Sequence, residues 1–146
     1  MDPRRRARRI ALGCAALIVG ASLWPLRGWR APAGFETAWF GLPWPHGLGW
    51  FDVASNVMAY LPMGAAAAAA LVDPGASPAQ RLRAALLGML AASALSHAME
   101  NLQRWLPGRT PSVIDWVLNG LGAALGVAAW LAAGSLRARR ARAGTG

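Results

Sequence analysis

The chain has 146 residues, enough for one domain, and its composition is strongly apolar. Apolar residues make up 55% of the chain and charged residues only 14%, against roughly 25% charged in an average soluble domain. So few charges would leave the outside of a soluble globule of this size largely apolar. The composition therefore excludes an ordinary soluble fold and favours a protein surrounded by lipid.

The formal charge is +9, and all 15 basic residues are arginines. A chain this basic could bind nucleic acid, but its arginines are grouped just outside apolar runs, in residues 4–9 and 137–142. Arginines in such positions are typical of the ends of membrane spans. Cys14 is the only cysteine, which excludes an intrachain disulfide and a thiolate metal cluster. We predict no nucleic-acid partner, no metal and no cofactor.

The first apolar run, residues 10–26, is near the lower length limit for crossing a bilayer. Its arginine-rich start and the small residues at 19–21 are also typical of a cleaved secretory signal, and this alternative stays open. The tryptophan-rich segment 27–51 that follows is expected to lie on the membrane, partly as a short interfacial helix around residues 35–40.

The second apolar run is residues 53–72, in which Ser55 and Asn56 are the polar exceptions. Pro62 lies inside this run, where a proline usually kinks a membrane helix while neighbouring helices stabilise the freed carbonyl group. Residues 73–76 read Asp-Pro-Gly-Ala, a sequence that predicts a turn.

The third helix has a strong start signal, with Ser77 as the N-cap and Gln80 three residues later. It is expected to run to about Leu106, with its membrane part near residues 84–99, and to end before Pro107. The fourth run, residues 113–134, is rich in glycine and alanine.

Within the fourth run, Gly122 and Gly126 form a small-xxx-small pair, which lets helix backbones approach closely. Such faces permit a homo-oligomer without requiring one.

The distribution of arginines predicts how the chain is oriented. With the amino terminus inside, eleven arginines lie on the inner side and four on the outer side, which places both termini in the cytoplasm. Seven of the eight tryptophans then fall near the outer interface. The prediction is an all-α, four-helix bundle in the cytoplasmic membrane, with cytoplasmic tails 1–9 and 137–146 around a multi-pass domain, residues 10–136.

Polar residues gather near the outer ends of the predicted helices, where ionisable groups tend to face a bundle interior or a wet cavity. The candidates for ligand binding are Asp52, Asn56, Glu100, Gln103, Arg109, Ser112, Asp115 and Asn119. The Asp-x-x-x-Asn spacing occurs at the start of both the second and the fourth span, which could record a repeat of two helices plus two.

Structural roles compete with these functional ones. Ser112 and Asp115 have the spacing of a capping box, and Asp52 suits a helix amino terminus. Asn56 and Asn119 could be hydrogen-bonding contacts between helices.

Two further residues in the third helix also have structural alternatives. His97 could be a satisfied buried imidazole. Glu100 is harder to explain, because it lies towards the carboxyl end of a helix, where the dipole disfavours a negative charge. Arg104, one turn later, Arg109 or His97 is expected to compensate it.

These residues together carry a family resemblance. Residues 100–112 contain E-x-x-Q and then P-G-R-x-x-S, followed by Asp115, Asn119 and the two glycines already noted. Upstream, residues 52–64 contain D-x-x-x-N and then P-x-G. From about residue 50 to 134 the chain resembles the VanZ-like family of small bacterial membrane proteins.

The resemblance implies a four-helix membrane domain at the cell envelope. Founding members of the family are associated with low-level resistance to the glycopeptide teicoplanin, so a resistance role here is an open expectation.

Three hypotheses for function follow. The favoured one is a non-enzymatic module whose outer polar pocket binds a membrane lipid, a lipid-linked precursor or another amphiphilic envelope molecule, with Arg109 pairing to an anionic headgroup. The second is a small intramembrane enzyme acting on such a lipid or on a peptidoglycan precursor, with Glu100, His97 and Asp115 as catalytic candidates. The third is a structural scaffold in which the polar residues only join helices.

Overall fold

The computed structural model describes residues 2–31, 41–44, 47 and 49–144. These residues form four α-helices and no β-strand: α1 Pro3–Leu23, α2 Trp50–Ala70, α3 Pro78–Gln103 and α4 Val113–Ala143. The prediction of an all-α, four-helix protein is confirmed for this part of the chain. The interfacial helix predicted around 35–40 lies outside the described residues.

The helices alternate in direction, so the bundle has two chemically different ends. We call the end where α1 and α3 finish and α2 and α4 begin the polar end, and the opposite one the arginine end. At the arginine end, Arg4 pairs with Asp73 at 2.5 Å and joins the start of α1 to the end of α2. Which end faces the cytoplasm stays a prediction.

Three helices are long and apolar enough to cross a membrane: Trp50–Ala70, Pro78–Gln103 and Val113–Arg140. The shortest of them, α2, has 21 residues, which gives about 31 Å at 1.5 Å per residue and matches a hydrocarbon core of roughly 30 Å. They correspond to the second, third and fourth predicted spans.

The first helix differs from its predicted span. α1 includes the arginines of residues 4–9 and ends at Leu23 rather than Leu26, because Pro25 has no N–H with which to continue the helix. Its uncharged part is therefore only about 20 Å long at 1.5 Å per residue. α1 packs into the bundle core through Ile18, but its crossing of a membrane stays a prediction.

The predicted turn and cap between α2 and α3 are confirmed. The Ala76 N–H donates to the Asp73 carbonyl at 3.2 Å, and Gly75 takes a φ of 85° at the position where a glycine is needed. The Gln80 N–H donates to Ser77 Oγ at 3.3 Å, while the Ser77 N–H donates to Gln80 Oε1 at 2.8 Å. This reciprocal capping box begins α3.

The carboxyl end of α3 lies earlier than expected. The helix ends at Gln103 rather than near Leu106. Residues 104–106 instead form a tighter turn, each N–H donating to the carbonyl three residues back at 3.0–3.3 Å. Gly108 then has a φ of 84°, which other residues rarely adopt, and redirects the chain towards α4.

The last helix starts where it was predicted and continues further. α4 begins at Val113 and runs through the arginines of residues 137–142 to Ala143. Most of the predicted cytoplasmic tail is therefore a helical extension of the fourth span.

Small residues fill the interior, whereas many large apolar side chains face outwards. The buried alanines are Ala7, Ala66, Ala67, Ala68, Ala84, Ala85, Ala92 and Ala123. The exposed leucines include Leu12, Leu17, Leu82, Leu86, Leu90, Leu121 and Leu125. This distribution suits a bundle whose outer surface contacts lipid and whose backbones pack closely.

The closest approach between helices is the crossing of α2 and α4, where glycines allow backbone to touch backbone. A Cβ added at any of three glycines would clash with a carbonyl oxygen of the facing helix. The pairs are Gly64 with Ala123, Gly122 with Val57, and Gly126 with Leu61. The predicted small-xxx-small pair therefore packs α4 against α2 within one chain.

Exposed aromatic side chains collect at the polar end. They are Trp24, Trp29, Trp44, Trp50 and Phe51. Trp116 differs, because it is only partly exposed and turns towards α3. Trp39 lies outside the described residues.

Candidate functional site

A cavity of about 400 Å³ opens at the polar end of the bundle, and we call it the polar cleft. All four helices and the loop between α3 and α4 contribute to its wall. Seven of the eight predicted ligand-binding residues line it: Asp52, Asn56, Glu100, Gln103, Arg109, Asp115 and Asn119. The fold thus brings together residues that are up to 67 positions apart in the chain.

Glu100 and Ser112 join the end of α3 to the start of α4. The Ser112 N–H donates to Glu100 Oε2 at 2.9 Å, and both residues are buried. The carboxylate is thus paired with a backbone donor at a helix amino terminus, where the dipole favours a negative charge. No salt bridge among the described residues links Glu100 to Arg104 or Arg109, two of its expected partners.

The hydrogen bond between Glu100 and Ser112 also explains why Asp115 does not complete a capping box at the start of α4. Ser112 Oγ caps α4 by accepting from the N–H groups of Ile114 and Asp115, at 3.1 and 3.4 Å. The Ser112 N–H, which a capping box would give to Asp115, is instead taken by Glu100. The Asp115 side chain turns to α2, where its carboxyl group interacts with the Asn56 side chain.

Asp52 occupies the position on α2 that Asp115 occupies on α4, the third residue of the helix. Its Oδ2 accepts from the Gly49 N–H at 3.3 Å, so the predicted structural role at the helix start is present. The two aspartates are close enough to interact electrostatically. The predicted internal repeat remains a prediction, although its two Asp-x-x-x-Asn segments lie side by side.

Asn119 is the most deeply placed amide of the cleft. Its side chain is 4% exposed, and its Nδ2 donates to Ser96 Oγ at 2.9 Å. The Tyr60 hydroxyl group also interacts with Ser96, so the three residues connect α4, α3 and α2. Asn119 Oδ1 is buried and has no hydrogen-bond partner, an arrangement that is costly unless something else supplies a donor.

Arg109 and Gln103 connect the end of α1 to the cleft through hydrogen bonds. The Arg109 guanidinium donates from Nη2 to the carbonyls of Ala21 and Trp24, at 2.8 and 2.9 Å, and from Nε to Trp24 at 3.2 Å. Gln103 Nε2 donates to the Ser22 carbonyl at 3.1 Å. These carbonyls at the end of α1 have no intrahelical partners, so both side chains act as carboxyl-terminal caps.

His97 lies away from the cleft lining, against the next helix. Its ring meets the Trp116 ring edge-on, with centroids 5.2 Å apart. The Trp116 indole N–H donates to Ser93 Oγ at 3.0 Å. These contacts give His97 and Trp116 a role in packing α3 against α4.

Arg104 points to the loop that precedes α2 rather than to Glu100. Its Nη2 donates to the Gly41 carbonyl. The Val113 N–H donates to the Pro43 carbonyl at 3.1 Å, and the Arg30 N–H donates to the Trp105 carbonyl at 2.9 Å. Together these bonds hold the described parts of the long loop over the polar end.

Tyr60 also lines the cleft, although it is not among the residues predicted from the sequence. Tyr60 is the only tyrosine of the chain and follows Asn56 by four residues and Asp52 by eight. This spacing puts all three side chains on one face of α2, which is the signal that could have identified it. Ser55 and Thr110, which also line the cleft, carry no such signal.

The three carboxyl groups of the cleft are Asp52, Glu100 and Asp115. Among the described residues, no group of three or more His, Cys, Asp or Glu side chains is arranged to hold a metal ion. The carboxyl groups are instead spread around the wall of the cavity, where they can accept hydrogen bonds from a larger molecule.

The fold and the cleft define a class of protein: a small helical membrane protein whose polar groups gather at one end of its bundle. The chain belongs to the VanZ/LLP1 family, whose model matches residues 6–134. The resemblance inferred from the motifs is thereby confirmed, and the match extends beyond them to include most of α1. No curated protein and no solved structure matches the chain.

Proposed function

We propose that this protein is a multi-pass protein of the bacterial cytoplasmic membrane whose polar cleft faces the outer leaflet and binds the head of a lipid-linked or amphiphilic envelope molecule. One observation carries the proposal: seven predicted ligand-binding residues, from three helices and a loop, line one cavity of about 400 Å³. Polar groups at the depth of a membrane are costly unless they find partners. A bound head would supply a partner where the protein does not, as at Asn119 Oδ1.

An amphiphile fits better than a fully water-soluble ligand because of what surrounds the cleft. Ala21 and Ala59 line it and are exposed, and Leu17, one turn before Ala21, is 75% exposed on α1. Trp24 and Trp50 are exposed at the same end. A head bound in the cleft would leave its hydrocarbon tail against apolar helix faces.

Binding is favoured over catalysis because the strongest acid–base candidates have structural partners. Glu100 accepts a hydrogen bond from the Ser112 N–H, and the Asp115 carboxyl group interacts with the Asn56 side chain. His97 packs on Trp116, outside the cleft lining. Resistance to teicoplanin, the role suggested by the family resemblance, is a narrower form of the proposal and would require binding in this same cleft.

The proposal is tested by filling the cleft without touching its polar groups. Ala59 lines the cleft and is exposed, so Ala59→Phe should occupy the site of the head with little effect on folding. Ala94→Phe is the matched control, because Ala94 is also exposed but lies outside the cleft lining. The measurement is mass spectrometry of the lipids and other amphiphiles that co-purify with each variant in a mild detergent.

The wild type and Ala94→Phe should retain the same specific amphiphile, and Ala59→Phe should lose it. Identical co-purifying molecules in all three proteins, at the proportions found in the bulk membrane, would overturn the proposal.

A further inference from the structure

In the polar cleft, more of the hydrogen-bond donors than of the acceptors are bonded within the protein. Two of the long donor side chains in the cleft, Arg109 and Gln103, already donate to the carbonyls that end α1. Asn119 Nδ2 is likewise bonded to Ser96. Several of the strongest donors in the cleft are therefore already used within the protein.

Acceptors, in contrast, remain. Asn119 Oδ1 is buried without a hydrogen-bond partner, in a side chain that is 4% exposed and lines the cleft. The carboxyl groups of Asp52, Glu100 and Asp115 line the same cavity. Each has about four lone-pair sites, of which one hydrogen bond uses a site on Asp52 and another uses a site on Glu100. A ligand that complements this wall must donate hydrogen bonds.

The charges of the cleft have the same imbalance. Three carboxyl groups face one guanidinium, and Asp115 interacts electrostatically with both Asp52 and Glu100. Like charges repel more strongly in a medium of low dielectric constant than in water. An anionic head would add to this repulsion, whereas a cation among the carboxyl groups would relieve it.

Arg109 does not make the cleft favourable for an anionic head. A guanidinium recognises phosphate best through two parallel N–H groups, but Nε and Nη2 of Arg109 are directed to the carbonyls of Ala21 and Trp24. Recognition of a phosphate by Arg109 would compete with the bonds that hold α1 in place.

We infer that the head bound in the polar cleft is an organic cation that donates hydrogen bonds, namely a primary amine, which contacts Asp115, Glu100 and the Asn119 side-chain oxygen. This inference rests on the proposed function and specifies its ligand class. An ammonium group has three donors and no acceptor, which matches an acceptor-rich wall. The amine could belong to a lipid headgroup or to a water-soluble amine.

The test uses two photoactivatable probes with the same 12-carbon tail carrying a diazirine, one ending in a primary amine and the other in a phosphate. Each probe is added to the full chain in phosphatidylcholine nanodiscs, and the yield of crosslinked protein is measured against probe concentration. The variants are Asp115→Asn and Asp52→Asn, which keep an acceptor oxygen but remove the charge. Asp73→Asn is the control, since it removes an exposed acid at the arginine end.

The amine probe should crosslink at concentrations about tenfold lower than the phosphate probe, since a difference of 1.4 kcal/mol in binding gives this ratio. Asp115→Asn should reduce that preference, Asp52→Asn should reduce it less, and Asp73→Asn should leave it unchanged. Competition then separates the sources of the amine. Displacement by phosphatidylethanolamine identifies a lipid head, and displacement only by a soluble primary amine such as hexylamine identifies a free one.

Two further outcomes separate failure of this inference from failure of the proposed function. Preferential crosslinking of the phosphate probe, blocked by Ala59→Phe, would overturn the inference and leave the proposed function standing. Crosslinking of both probes that Ala59→Phe does not reduce would overturn both.

Discussion

Several side chains that line the polar cleft also make hydrogen bonds that stabilise the fold. Glu100 shows this most clearly, because its Oε2 accepts the Ser112 N–H while the same side chain lines the cavity. Arg109 likewise caps α1 and borders the cleft. A loss of function after removing such a side chain would therefore be ambiguous, and conservative substitutions are needed to interpret it.

For Glu100 the conservative substitution is glutamine. Glu100→Ala leaves the buried Ser112 N–H without a partner and should lower the free energy of unfolding by about 1–3 kcal/mol. Glu100→Gln keeps an acceptor oxygen within reach of that N–H and should cost less. Both variants can be compared with the wild type by thermal unfolding in detergent, with Leu90→Ala as a control at an exposed position of the same helix. Equal stability of Glu100→Ala and the wild type would contradict the structural role.

The same pair of variants bears on the enzyme hypothesis. Glu100→Gln removes acid–base chemistry but retains the bond to Ser112. If a reaction is found for this protein, an undiminished rate in this variant would exclude Glu100 as its acid or base.

Among the helices, α2 and α4 form the pair that fixes the cleft. Both begin at the polar end with an aspartate as their third residue. Further along, the glycines at their crossing bring the backbones into contact. This close approach places Asn56 beside Asp115, so the packing of small residues in the middle of the bundle positions the polar residues at its end.

The crossing can be tested with two glycines of α4. Gly126→Ala would place a methyl group against the Leu61 carbonyl oxygen, a backbone atom that cannot move aside. Its expected cost is about 1–3 kcal/mol of unfolding free energy. Gly120→Ala is the matched control, because a Cβ there meets open space, and it should be neutral or stabilising by about 0.5–1 kcal/mol.

The free energy of unfolding of both α4 variants can be measured in detergent. An equal effect of the two alanines would show that the α2–α4 crossing is looser than described.

At the scale of the whole molecule, the two ends of the bundle differ in charge and in aromatic content. The arginine end carries the basic residues of α1, α3 and α4, whereas the polar end carries the exposed tryptophans. The positive-inside rule predicts that the arginine end faces the cytoplasm. The proposed function depends on this orientation, because the cleft would then open towards the outer leaflet.

Thiol labelling of intact cells tests the orientation. In a Cys14→Ala background, Thr110→Cys places a thiol on the exposed loop at the polar end, and Ala79→Cys places one at the arginine end. A maleimide that cannot cross the membrane should label position 110 in intact cells and position 79 only after permeabilisation. The reverse pattern would move the cleft to the cytoplasmic leaflet and contradict the proposed location.

Much of the architecture could be predicted because it follows from local signals. The turn at residues 73–76 and the Ser77 cap depend on residues that contact near neighbours, and both were found where the sequence indicated. The ends of α1 and α3 were displaced by three residues, since Pro25 stops α1 and the chain after Gln103 tightens into a turn.

The sequence by itself determined a helical membrane protein of this family, with its polar residues near the helix ends, because apolar length, helical spacing and motif order are properties of short segments. Only the tertiary structure decided the partners. Glu100 pairs with the Ser112 N–H rather than with an arginine, and Arg109 caps α1. The physical reason is that side-chain contacts between helices depend on how closely α2 and α4 approach and on where α1 ends. The spacing of residues along one helix does not determine those distances.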